Sequence, residues 1–109
     1  MFLKKEEKEE LKQQIRTFCT RNSAIEKVII FGSFIHSLTP HDIDLAIISN
    51  SSADYLTQAM EYRRLLRPIS QIIPIDIIPI KKEAFNNEGF ISEIRRGELI
   101  YEKRNRIMG

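Results

Sequence analysis

The sequence has few or none of the residue types on which several classes of protein depend. It contains no tryptophan and a single cysteine, Cys19, so neither an internal disulfide nor a cysteine-rich zinc site can form. No apolar run reaches the roughly eighteen residues of a transmembrane helix. The charged amino terminus, MFLKKEEKEE, lacks the apolar segment of a secretory signal. The net charge of +2 is too small to indicate nucleic-acid binding by itself. We therefore expect a cytoplasmic protein with no membrane partner and no direct nucleic-acid partner.

The sequence does contain enough apolar material for one small domain. Hydrophobic residues make up 42% of its 109 residues and charged residues 29%, which is typical of a globular protein with a modest core. No repeat, linker or low-complexity segment divides the chain. We expect a single domain over residues 1–109, with a basic tail at 103–109 that frays.

The stretch 28–48 carries the pattern around which the chain is organised. Its first part, 28–31, is a β-branched and aromatic run that predicts a buried strand, and it ends in Gly32-Ser33. Glycine allows a sharp turn and the close approach of a ligand to the backbone. Ser33 offers a hydroxyl and an N–H, both of which can donate to a phosphate oxygen. Gly32 and Ser33 are therefore candidate phosphate-binding residues.

Two aspartates, Asp42 and Asp44, stand at the head of the second apolar run. Side chains alternate across a strand, so carboxylates two residues apart point to the same side. With no basic residue between them they repel each other unless a cation lies there. Hard oxygen ligands suit Mg²⁺ or Mn²⁺, which also coordinate substrate phosphates. Together with the preceding turn, this pattern indicates nucleotidyl or phosphoryl transfer.

A third acid, Asp76, interrupts the otherwise apolar segment IIPIDIIPI at 72–80. The two prolines of this segment confine it to an edge or to short pairing. A carboxylate inside so apolar a strand is unfavourable without a partner or a cation. One interpretation is a solvent-facing residue of an edge strand. The other, which we favour because of the acid pair upstream, is a third metal ligand.

The remaining pattern predicts helices around a small sheet. Helices are predicted at 4–21, 54–66 and 89–96, a helical turn at 34–37, a loop or short helix at 81–87, and strands at 25–31, 42–48, 72–80 and 98–102. The charged residues 4–10 are expected on the solvated side of the first helix. Cys19, on its apolar stripe, is interpreted as a core residue and not as a nucleophile. Pro68 is expected to end the second long helix.

Two histidines and three arginines leave alternatives open. His36 and His41 fall between the turn and the acid pair, where they are either loop residues or contacts to substrate or metal. Arg63, Arg64 and Arg67, near the end of the second long helix, can reach a triphosphate, but an exposed helix end is the interpretation we favour.

The ordered set of the Gly32-Ser33 turn, the Asp42 and Asp44 pair and the later Asp76 resembles the signature of the minimal nucleotidyltransferases. These are small single-domain members of the polymerase β-like nucleotidyltransferase superfamily. The resemblance extends over nearly the whole chain, since the closing FISEIRRGELIYE is similar to the family's last helix and strand. It implies an α/β (α+β) fold, with a small mixed β-sheet and helices packed mainly on one face.

The resemblance also implies the roles of these residues. Asp42, Asp44 and Asp76 would be catalytic and would ligate Mg²⁺, with two ions expected, while Gly32 and Ser33 would hold the nucleoside triphosphate. We therefore expect transfer of AMP, or another nucleoside monophosphate, from ATP or another triphosphate to a hydroxyl of a partner protein. Proteins that resemble this chain are frequently antitoxins encoded beside a small helical HEPN-type toxin, which they modify on tyrosine. An oligomer with that partner is a further expectation.

Two other functions compete with this one. The first is a non-catalytic antitoxin or nucleotide-binding module that acts by direct contact. The interval 34–41 between turn and acid pair favours it, because it is shorter than the family pattern and lacks that pattern's second glycine, whereas the three intact acids oppose it. The second is a small-molecule modifier of the aminoglycoside nucleotidyltransferase type, which needs a second domain or a dimer to enclose its pocket.

Overall fold

The computed structural model describes residues 2–86, 92, 94 and 96–103, and a four-stranded sheet lies at its centre. The strands are β1 (Ile25–Phe31), β2 (Ile43–Ser49), β3 (Ile75–Lys81) and β4 (Glu98–Glu102), in the spatial order β3-β2-β1-β4. Strand β1 is antiparallel to β2 and β4, whereas β2 and β3 are parallel. The sheet is therefore mixed, as the family resemblance implied, and β3 is an edge strand.

Among the described residues, helices and a 3₁₀ turn precede or join the strands. They are α1 (Lys5–Cys19), α2 (Ser33–His36), α3 (Tyr55–Leu65), α4 (Arg67–Ser70) and the 3₁₀ turn Ala84–Asn86. Helix α1 buries the predicted apolar stripe of Leu11, Ile15 and Cys19. Helix α3 starts after Asp54, whose carboxylate accepts a hydrogen bond from the Thr57 N–H at 2.7 Å, an N-cap that satisfies one otherwise unpaired donor.

The two faces of the sheet differ in what covers them. Alternate residues of β2, namely Ile43, Leu45 and Ile47, join the larger core cluster, to which the four helices also contribute. The residues between them, Ala46 and Ile48, belong to a smaller cluster on the other face. The expected α+β fold, with helices mainly on one face, is therefore confirmed. Asp44 alternates along β2 with Ile43 and Leu45 and so lies on the same face as Ala46 and Ile48. Its carboxylate therefore points away from the larger core cluster.

Element boundaries differ from the sequence prediction at several places. The second long helix does end before Pro68, since α3 stops at Leu65, but Pro68 then lies in the first turn of another helix, α4. Proline is tolerated in a first turn, where its missing N–H would have no intrahelical partner. Strand β3 begins at Ile75 and not at residue 72, and Asp42 precedes β2 instead of opening it. Both boundaries depend on pairing between distant segments.

Two predictions at the carboxyl end fall largely on residues that the structure does not describe. Of the predicted helix at 89–96 only residues 92, 94 and 96 are described, and of the predicted tail only Lys103. The predicted loop or short helix at 81–87 contains the 3₁₀ turn. Over the described part of the chain, no helix is both long enough and apolar enough to span a membrane.

Candidate active site

The turn after β1 is shaped by Gly32. Its φ of 78° and ψ of −155° lie in a region that is essentially restricted to glycine. A Cβ at this position would also collide with the Asp44 carboxylate oxygen Oδ2. Glycine is thus required both by the backbone conformation and by the close approach of an acidic side chain. Ser33 follows as the first residue of α2 and is exposed, as a phosphate contact must be.

The three aspartates come together through the pairing of the strands. Asp44 lies opposite Phe31 of β1 and opposite Asp76 of the parallel strand β3. Directly opposite residues project to the same face, so Asp44 and Asp76 are neighbours there, and Asp42, two positions before Asp44, joins them. One carboxylate oxygen from each aspartate lies within 4.8 Å of the other two. The structure therefore unites all three sequence-predicted metal ligands beside the Gly32 turn.

The negative charges of the three aspartates are not compensated by any described cation. Burial, and then the charges of Asp42 and Asp76, raise the pKa of the Asp44 carboxyl above its ordinary value. Among the described residues, no cation forms an ion pair with any of the three carboxylates and no donor forms a hydrogen bond to their oxygens. Like charges held this close destabilise the fold unless a cation binds.

The donor set fits a hard divalent cation. All three candidate ligands are carboxylate oxygens, the type that Mg²⁺ and Mn²⁺ prefer, so Asp42, Asp44 and Asp76 would hold such an ion. Asp76 is exposed on an edge strand and also belongs to the cluster. It is therefore both a solvent-facing edge residue and a candidate metal ligand, the two interpretations that the sequence left open. Its exposure leaves the site open to a ligand that arrives from solvent.

Helix α2, which carries Ser33, is held by a lysine that the sequence interpretation placed among solvated charges. The Lys8 ammonium group is half-buried and donates hydrogen bonds to the backbone carbonyls of Phe34, at 2.7 Å, and Ser37. It also lies 5.3 Å from the centre of the Phe34 ring. Lys8 lies three and seven residues before the buried Leu11 and Ile15, a spacing that places it on the buried face of α1. This spacing is the sequence signal that could have shown Lys8 to be a packed residue.

The other singled-out residues lie outside the cluster. His36 and His41 are exposed and are not among the grouped carboxylates. Arg63 and Arg67 line a cavity together with isoleucines of β3, which alternate with Asp76 and so point to the opposite face. Neither arginine is therefore directed toward the acid cluster.

Cys19 has the core position expected from the sequence. Its side chain is fully buried, and burial raises the pKa of the thiol to about 12. The thiolate, which is the nucleophilic form, is therefore scarce at neutral pH. This buried environment supports a packing role for Cys19 and not a catalytic one.

Comparison with protein families gives a match over most of the chain. A family model described as "Polymerase beta, Nucleotidyltransferase" matches residues 13–106. The matched range includes the Gly32 turn, helix α2 and all three aspartates of the cluster. No curated protein matches the chain.

Proposed function

The chain belongs to the polymerase β nucleotidyltransferase family, and from this premise we propose that it transfers AMP, or another nucleoside monophosphate, to a hydroxyl of a partner protein. Membership supports nucleotidyl transfer in general, whereas the nucleotide and the acceptor are our proposal. The observation that carries it is the cluster of three carboxylates, within 4.8 Å of one another, beside a glycine turn at which a Cβ would collide with the Asp44 carboxylate.

Each residue of the site has a task that its position supports. Asp42, Asp44 and Asp76 would hold the divalent cation, which when bound polarises the α-phosphate and balances charge on the departing pyrophosphate. Ser33, exposed next to Gly32, would donate its hydroxyl and its N–H to the triphosphate. Asp76, the most open of the three acids, would accept the proton of the acceptor hydroxyl at a carboxylate oxygen. Positioning of the two substrates then accounts for most of the rate.

A protein acceptor is favoured by the openness of the site. Ser33 and Asp76 are both exposed, so a large acceptor can reach them without a lid having to open. We propose in particular a small helical protein of the HEPN type, with this chain as the antitoxin of the pair. The order of the glycine turn and the three aspartates, which resembles that of minimal nucleotidyltransferases, supports this narrower proposal.

The experiment is modification of that partner. The chain is incubated with labelled ATP, Mg²⁺ and a small helical protein of the HEPN type, whose intact mass is then measured. An adduct of one or more AMP units is expected with the wild-type chain. With Asp76→Asn the adduct should disappear, while pull-down still recovers the complex.

The second candidate, neutralisation by contact alone, is favoured by the short interval 34–41 between Ser33 and Asp42. It predicts that Asp76→Asn protects cells from the toxin as well as the wild-type chain does. Growth of cells that co-express toxin and Asp76→Asn protein therefore separates the two candidates, because loss of protection supports catalysis and full protection supports contact.

A further inference from the structure

The outward face of α3 is apolar where a solvated helix is ordinarily polar. Leu56 and Met60, one helical turn apart, expose 65% and 53% of their surface. The opposite face of the helix is buried through Ala59 and Tyr62, so Leu56 and Met60 are not needed to pack α3 on the sheet. Adjacent exposed apolar side chains on one face are typical of a contact surface.

The same face becomes basic toward its carboxyl end. Arg63 and Arg64 lie in the last turn of α3 and Arg67 begins α4, and all three are exposed. Within the described part of the chain, none of their guanidinium groups forms an ion pair. The dipole of α3 accounts for basic residues at its end. It does not account for the apolar residues on the preceding turns, nor for a cavity beside the arginines.

That cavity has a volume of about 230 Å³ and opens at the basic end of the face. It is lined by polar and apolar side chains in equal number: Arg63, Arg67, Ser70, Leu66, Ile75 and Ile77. The Ser70 hydroxyl donates its hydrogen to the Arg67 carbonyl, so the donors left to a ligand are the guanidinium groups. Guanidinium groups bind carboxylates in a planar, two-point geometry. The cavity is therefore suited to an acidic side chain.

We propose that the docking surface for the acceptor protein consists of Leu56, Met60, Arg63, Arg64, Arg67 and this cavity. The acceptor contributes an amphipathic helix that is apolar along one face and acidic at one end, with a carboxylate seated between Arg63 and Arg67. The inference rests on the proposed function, because the docked protein is the one that is modified. Asp76 lies on β3 between the two isoleucines of the cavity, so a protein docked here lies at the sheet edge that carries the exposed acid.

A second copy of this chain is a poorer occupant on grounds of charge. Two α3 faces brought together would double the uncompensated positive charge of the three arginines. The acids of the helix are already engaged, because Asp54 accepts from the Thr57 N–H and Glu61 accepts from the Asn22 amide. Charge complementarity thus favours an acidic partner over self-association.

The test measures binding of a defined probe to the full chain. The probe is a fluorescein-labelled amphipathic peptide of about five helical turns, with leucines on one face and glutamates in its last turn. A companion peptide carries lysines in place of the glutamates. Fluorescence anisotropy should show binding of the glutamate peptide, and binding of the lysine peptide that is about tenfold weaker or less.

Variants locate the binding surface. Met60→Glu and Arg67→Glu should each weaken binding of the glutamate peptide by about tenfold or more, as substitution of a central interface residue does. Arg21→Glu makes the same charge change at an exposed arginine outside the surface and should bind as the wild type does. Equal binding of both peptides, or unchanged binding by both variants, would overturn the proposal. A wild-type dimer that Met60→Glu dissociates in sedimentation would also overturn it, by assigning the surface to a second copy.

Failure of the proposed function is recognised separately. Met60→Glu and Arg67→Glu leave the acid cluster intact, so both should keep the wild-type rise in thermal midpoint with Mg²⁺ and ATP. Absence of that rise in the wild-type chain counts against the nucleotide site. A wild-type chain that shows the rise but does not bind the glutamate peptide counts against the docking surface alone.

Discussion

At the scale of single residues, Gly32 is the position where backbone conformation and site chemistry depend on one another. Gly32→Ala would place a Cβ against the Asp44 carboxylate in a backbone region that alanine rarely adopts. We expect a loss of about 1–3 kcal/mol in the free energy of unfolding, together with weaker binding of Mg²⁺–ATP because the turn is displaced. Urea denaturation and calorimetric titration measure the two effects.

The matched control for Gly32→Ala is Ser33→Ala. It removes a hydroxyl from an exposed residue and should leave the free energy of unfolding nearly unchanged. Binding of Mg²⁺–ATP should nevertheless weaken by about 1.5 kcal/mol, the lower end of the range for one hydrogen bond to a charged group. Wild-type stability in Gly32→Ala would contradict this account of the turn.

Asp44 should make the stability of the metal-free protein depend on pH. Burial, and then Asp42 and Asp76, raise its pKa above the ordinary value of 3.8. The folded state therefore holds this proton more tightly than the unfolded state does. Stability is lost as the pH rises from the unfolded pKa through the folded pKa. Asp44→Asn removes both the charge and the titration.

We therefore expect Asp44→Asn to be more stable than the wild type near pH 7 in EDTA, with a difference that shrinks toward about pH 4. Urea denaturation of the two proteins side by side measures this difference, and the comparison cancels the titration of carboxylates that they share. A variant less stable than the wild type near pH 7 would show that Asp44 supports the fold and is not strained by its acidic neighbours.

At the scale of elements, the short helix α2 depends on a side chain from α1. Lys8 donates to the carbonyls of Phe34, within α2, and Ser37, just after it, and Ser33 is the first residue of α2. Lys8→Met should raise the dissociation constant of Mg²⁺–ATP several-fold by loosening α2, since hydrogen bonds from a charged donor contribute about 1.5–3 kcal/mol each. Lys8→Arg should restore most of the affinity, because it keeps the charge and the donors.

The control for Lys8 is Lys5→Met, at an exposed position of the same helix for which the described residues show no hydrogen bond or ion pair. It should bind Mg²⁺–ATP as the wild type does. Equal affinities of Lys8→Met and Lys5→Met, measured by calorimetric titration, would remove Lys8 from the account of the site.

The elements also show how far the sequence alone reaches. Apolar periodicity is a local property, and it correctly predicted β1, β4 and the buried stripe of α1. The parallel register that sets Asp44 opposite Asp76 joins segments some thirty residues apart, and no local pattern specifies it. The start of β3 and the extra turn at Pro68 escaped prediction for the same reason, because strand pairing and packing of α4 on the core decide them.

The residues of the site likewise differ in whether local sequence could identify them. Gly32, Ser33 and the three aspartates could be named from residue type and order, since few other side chains suit phosphate and a divalent cation. Lys8 could not be named from its charge, which is typical of a solvated helix. The Lys8 ammonium group finds two carbonyls to hydrogen-bond only because the folded chain places α2 beside α1.

At the scale of the whole molecule, the central claim is that the three carboxylates form a metal–nucleotide site, and the thermal midpoint of unfolding tests it most directly. Mg²⁺ with ATP should raise the midpoint by several degrees. A ligand at a hundredfold excess over its dissociation constant adds about 2.7 kcal/mol, and each kcal/mol moves the midpoint of a domain this size by roughly 4–8 °C. Mg²⁺ alone should raise it less, because without a phosphate the ion keeps its waters.

Asp44→Asn is the decisive comparison in this measurement. It should start from a higher midpoint without metal and lose most of the rise on addition of Mg²⁺–ATP, because the central ligand of the cluster is gone. A wild-type chain whose midpoint stays fixed in millimolar Mg²⁺ with ATP, and with each of the other nucleoside triphosphates in turn, would contradict the claim that Asp42, Asp44 and Asp76 form a working nucleotide site.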